Sequence, residues 1–181
     1  MADTTIVAGN VEAPTARSAF TWSVVIAGAL AAWAVAFILI SLGSGIGFAV
    51  SSPYSASGPS VTTMTIAGAV WLVFSEAVAY AVGGYLAARL RIRDHIPGPE
   101  TKFRDAAHGF MAWVVGVGLT TFAVLLAGLF APHTGTTATV DAETARQAAA
   151  YIAFWSFMAL LFGAVAATLA GILGGDLRDE L

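Results

Sequence analysis

Glu76 is the residue of this chain best placed to do chemistry. It stands close to the midpoint of an apolar run, residues 61–90, and is the one acidic residue deep inside any such run. Tyr80 follows one helical turn later and shares its side of a helix. Thr120 and Thr121 fall at a similar depth in another apolar run and can donate hydrogen bonds to a carboxyl group. At the centre of a bilayer a charged side chain costs about 3 kcal/mol on insertion scales, so Glu76 is expected to face protein. It either fixes helix packing as a neutral, hydrogen-bonded acid or binds a proton or cation. No second acid, lysine or arginine accompanies it, whereas a proton path needs several relay groups.

Other chemistry has little to work with. The chain has no cysteine, which removes disulfides, thiolate metal sites and cysteine nucleophiles. His95, His108 and His133 are scattered, and no pair has the spacing of a metal site. His108 lies one turn beyond Asp105 and is expected to pair with it. No phosphate-binding loop or dinucleotide fingerprint is present, and serine, histidine and acid never converge at one depth. No catalytic residue, metal, cofactor or nucleic-acid partner is expected.

The elements that position Glu76 are four apolar runs, residues 20–50, 61–90, 106–131 and 148–173. Each exceeds the roughly 20 residues needed to cross a hydrocarbon core about 30 Å thick. Hydrophobic residues make up 58% of the chain and charged ones 10%, against about 25% charged in a soluble domain. The fold class expected is therefore all-α: a polytopic membrane protein with four transmembrane helices between residues 20 and 175. Residues 1–19 and 176–181 are expected to be cytoplasmic tails. The first run is too long for the apolar part of a cleaved signal and is expected to be retained.

Basic residues near the ends of spans favour the cytoplasm. Arg17, Arg89, Arg91, Arg93, Lys102, Arg104 and Arg178 would share one side of a four-span protein, with Arg146 alone opposite. Both termini are therefore expected in the cytoplasm, with the loops 51–60 and 132–139 outside. Arg89, Arg91 and Arg93 are expected to anchor topology by snorkelling, or alternatively to bind anionic lipid. Pro97, Gly98 and Pro99 are expected to turn the chain. Ser60 and Asp141 are expected helix N-caps, with residues 142–147 standing above the membrane. Gly174 and Gly175 are read as a helix stop.

The halves resemble each other. Gly28 to Trp33 matches His108 to Trp113 at an offset of 80, and Trp71 matches Trp155 at an offset of 84. Gly83, Gly84 and Ala87 likewise correspond to Ala166, Ala167 and Ala170. This predicts two helical hairpins as a parallel repeat about an axis normal to the membrane. Trp33, Trp71, Trp113 and Trp155 lie well inside their spans, so they are expected to pack on glycine-rich faces with their N–H groups bonded inside the bundle.

Small residues share faces at Gly83, Gly84, Gly109, Gly116, Gly163 and Gly171, the candidate helix-packing positions. Such residues let helices approach closely where the hydrophobic effect does not act. Gly43, Gly45 and Gly47, ending the first run, predict either close approach to a neighbour or a broken helix lining an ion site.

Three motifs carry a resemblance. Gly43 to Gly47 is rich in glycine, Gly83 to Leu90 reads GG-x-x-A-x-R-L, and His108 to Trp113 reads H-G-x-x-x-W. With them the chain resembles a group of uncharacterised bacterial four-span membrane proteins, over most of its length after residue 20. The resemblance implies a bacterial inner (plasma) membrane location and supplies no activity. The function expected is that of a non-enzymatic structural or interaction subunit, with lipid around it and a homo-oligomer or larger membrane complex as partner. The alternative is a small channel or transporter with Glu76 as its proton or cation site.

Overall fold

The computed structural model describes residues 20–51, 58–92, 98–130 and 141–180. The tail 1–19, most of both loops, Arg93, His95, Pro97, His133 and Leu181 lie outside the described residues. The described chain is all-helical: α1 (Trp22–Val50), α2 (Val61–Arg89), α3 (Gly98–Phe130) and α4 (Ala142–Asp179). Each helix is long and apolar enough to cross a membrane.

Two expected caps start their helices. Ser60 Oγ accepts the Thr63 N–H at 3.1 Å, and Asp141 Oδ1 accepts the Thr144 N–H at 2.9 Å. Each satisfies one of the donors that a helix N-terminus leaves open. Gly98 and Pro99 form the first turn of α3 rather than a turn between helices. Proline fits there because its missing N–H has no intrahelical partner in the first turn.

Two other expectations are corrected. Gly174 and Gly175 do not stop α4, which runs unbroken to Asp179. They continue the stripe of Gly163, Ala167 and Gly171, and a β-carbon at either would collide with Tyr85 or Asp105. Residues 176–179 thus belong to the bundle. The glycines of α1 do not break it either, since its helix is continuous to Val50. Among apolar neighbours, its carbonyls and amides have no partners as good as one another. Gly43 gives close approach, to the ring of Trp71, whereas Gly45 and Gly47 meet nothing within 4 Å.

The helices run alternately up and down. α2 and α4 form the most extensive pair, α1 packs on α2 and α3, and α3 packs on α4 and α2. The hairpins cross at comparable places, Gly28 on Gly83 and Ala87, and Gly109 on Ala167 and Gly171. A twofold exchanging the hairpins would make the α1–α4 and α2–α3 pairs equivalent, yet only the second is in contact.

Packing is concentrated at one end, where α1 and α3 begin and α2 and α4 finish. Most of the enclosed residues there are small, Ala29, Ala32, Ala87, Ala88, Ala112, Ala167 and the glycines between them, with Val25, Tyr80, Asp105 and His108 among the larger exceptions. Large apolar side chains such as Phe37, Phe48, Phe122, Phe130 and Phe157 lie on the surface. At the opposite, far end the helices separate, and Gly45, Gly47, Gly68, Gly118 and Gly128 have nothing within 4 Å of a β-carbon position among the described residues.

Candidate functional site

Glu76 sits where the packed and separated halves meet. Tyr80 is enclosed by glycines from two helices. A β-carbon at Gly116 of α3 would lie 2.9 Å from its hydroxyl oxygen, and one at Gly163 of α4 would lie 3.0 Å from its ring. These glycines are therefore the cradle for one aromatic ring. Gly83 and Gly84 serve backbone approach instead, to Gly28 and Ala167 respectively, and Gly109 and Gly171 bring α3 and α4 together.

Two clefts flank Tyr80. One, of about 440 Å³, lies between α1, α2 and α3 and is lined by Trp33, Phe37, Ile40, Glu76, Tyr80 and Thr120, among others. The second, of about 220 Å³, lies toward α4 and is lined by Leu72, Glu76, Tyr80, Thr120, Thr121 and Ser156, among others. Glu76, Tyr80 and Thr120 are common to both. The structure thus brings three of the expected polar residues to one place. Thr121 joins them only at the smaller cleft, and its hydroxyl is turned back to Val117 O at 2.9 Å.

Thr120 is fixed by two bonds. It donates to Gly116 O at 3.0 Å and accepts the Trp33 indole N–H at 3.1 Å. The second bond ties α1 to α3 beside Glu76. Trp71 also behaves as expected, with its N–H on Leu39 O at 3.0 Å and its ring over Gly43. Trp113 departs from expectation, because its ring lies against Gly163 while its N–H has no hydrogen-bond partner among the described residues. Trp155 packs with Tyr151 and Phe154 of its own helix.

A second polar cluster, at the packed end, is the part sequence reasoning missed. Asp105 is 2% exposed and Arg91 is 4% exposed. Arg91 Nε donates to Asp105 Oδ1 at 2.9 Å. Arg178 grips the same carboxylate from α4, Nη1 to Oδ1 and Nη2 to Oδ2, each at 3.1 Å. Its Nη1 also donates to Ala88 O at 2.9 Å, one of the last carbonyls of α2. Three helix ends are thereby tied to one acid. Arg91 does not extend outward as a snorkelling side chain would, because its guanidinium is buried on Asp105.

His108 is also corrected, since its ring does not bond to Asp105. Its Nδ1 lies 2.7 Å from Arg104 O, and its Nε2 accepts the Thr21 N–H at 3.1 Å. The carbonyl partner places the proton on Nδ1 and leaves Nε2 as the acceptor. Phe20 stacks on the same ring at 4.5 Å between centroids. His108 therefore fastens the start of α1 to α3.

Comparison of the chain with protein-family models, curated proteins and solved structures gave no match.

Proposed function

We propose that this chain is a multi-pass protein of the bacterial inner (plasma) membrane with both termini in the cytoplasm. It acts as a non-enzymatic structural or interaction subunit built on two related hairpins. One observation carries the reading: at the packed end the helices bury mostly alanine and glycine, while most of their large apolar side chains lie on the surface. Water would oppose that arrangement across so broad a surface. Lipid accepts it, because packing between small faces then drives association. The charge pattern adds the orientation, seven basic residues against one.

The separated far end suits a partner. Gly45, Gly47, Gly68, Gly118 and Gly128 present small faces that no described residue covers within 4 Å. A second copy of the chain, or a larger membrane complex, would cover them. The experiment is mass determination of the purified protein in mild detergent, with reporter fusions at both termini. The expected result is an oligomer or a copurifying complex, with both fusions reporting cytoplasm. A solitary monomer would remove the interaction reading, and termini on opposite sides would remove the topology.

A second reading is favoured by the two clefts that share Glu76: a small channel or transporter in which this acid binds a proton or cation. Ion flux into proteoliposomes, compared between the native protein and Glu76→Gln, tests it. Equal flux would dispose of a role for Glu76.

A further inference from the structure

Among the described residues, none that lines the two clefts beside Glu76 is basic. None of the eight lysines and arginines lies between residues 18 and 88, 105 and 145, or 147 and 177, which together include every residue lining the two clefts. Neutralising a carboxylate at this depth therefore falls to something the lining residues do not supply, a proton or an external cation. Tyr80 is the other titratable group on the cleft walls. α1, α3 and α4 contribute Trp33, Thr120, Thr121 and Ser156, which do not titrate.

The walls decide what kind of cation fits. Divalent metals require about six oxygen ligands or retained water. The larger cleft offers the oxygens of Glu76, Tyr80 and Thr120, and is otherwise apolar and aromatic. Trp33, Phe37 and Tyr80 provide three rings, whose faces attract weakly hydrated cations. Its volume of about 440 Å³ suits a small organic molecule. Trp33 is 46% and Phe37 74% exposed, so this wall is open sideways to the surroundings of the bundle. In a bilayer, those surroundings are lipid, into which lipophilic cations partition.

We propose that Glu76 and the cleft beside α1 form a binding site for a hydrophobic monovalent organic cation, of the quaternary ammonium or phosphonium type. The inference rests on the second reading above and names its ligand class. Binding is an exchange: the protonated acid releases one proton as one cation enters, and the net charge of the site is unchanged. Trp33 is held in the wall by its bond to Thr120.

The test uses full-length protein in lipid nanodiscs, with tetraphenylphosphonium as the probe and empty nanodiscs subtracted. Saturable binding is expected, weakening at least tenfold, by about 1.4 kcal/mol or more, between about pH 8 and about pH 5. In weak buffer, about one proton should be released per cation bound. Glu76→Gln should abolish both signals, while Glu76→Asp, which keeps a carboxylate, should retain proton release. Equal binding by Glu76→Gln and the native protein overturns the proposal, as does equal binding of neutral triphenylphosphine oxide. Proton release on adding sodium or potassium, but not tetraphenylphosphonium, overturns the ligand class and keeps Glu76 as an ion site. No proton release with any cation overturns both readings of Glu76. Membrane insertion is scored separately by the terminal fusions, which should report the same topology for Glu76→Gln.

Discussion

Arg91 and Asp105, from the ends of α2 and α3, meet at 2.9 Å with their side chains 3% and 2% exposed. Removing one partner of a buried pair strands the other, at a cost of about 3–5 kcal/mol. Asp105→Ala should fall in that range, because it strands Arg178 as well. Arg178→Ala should cost less, since its own side chain is 10% exposed and Arg91 stays on the carboxylate. Thermal unfolding in detergent would rank the variants. Asp105→Ala unfolding like the native protein would contradict the central place given to this acid.

Glycine substitutions should divide by position. A β-carbon at Gly84 would strike the backbone of Ala167, and one at Gly109 would strike the same carbonyl. Alanine at either should destabilise the protein by about 1–3 kcal/mol through overpacking. Gly118 has open space, so Gly118→Ala should be neutral or should stabilise by up to about 1 kcal/mol in the isolated chain. Gly118→Leu or Gly128→Leu should leave the fold intact and reduce self-association. Mass measurement beside thermal unfolding separates the two effects.

Trp33→Phe removes the α1–α3 bond near Glu76 and should cost about 0.5–1.5 kcal/mol. Thr120→Val should cost a similar amount. The double variant should cost less than the sum, because both changes delete one bond. Full additivity would show that the bond contributes nothing.

The Asp141 cap should respond to acid. The Thr144 backbone N–H, followed by its hydroxyl, holds the Asp141 carboxyl below the ordinary range. Stability from a depressed carboxylate is present above its unfolded value, about pH 4, and fades as pH falls through the lower folded value. Protection of the Thr144 amide, taken relative to its intrinsic exchange rate, should therefore fall in that acid window. Asp141→Asn, which caps without ionising, should flatten the response.

Four helices, both caps and the packing role of the small residues were legible because each depends on residues close in sequence. Run length marks a span, and a serine or aspartate before a run marks its start. The Tyr80 cradle was only half visible: Gly116 and Gly163 stood out, but the ring they enclose belongs to another helix. The Asp105 cluster was hidden for the same reason, since Arg178 lies 73 residues from its acid. One signal was present. Gly174 and Gly175 follow Gly171 at helical spacing, and reading them as a stop placed Arg178 outside the bundle when the stripe pointed inward.

The contrast between the two ends gives the molecule a mechanical character. Glycine crossings, the Asp105 clasp and the Thr21–His108 bond tie the near end together, whereas among the described residues the far glycines meet nothing within 4 Å. From Gly28 to Val50, α1 rises roughly 33 Å at about 1.5 Å per residue, so one degree of tilt swings its tip by about 0.6 Å. Any tilt about the shared crossing would therefore be amplified toward the far tips, and Glu76 lies where that amplification begins.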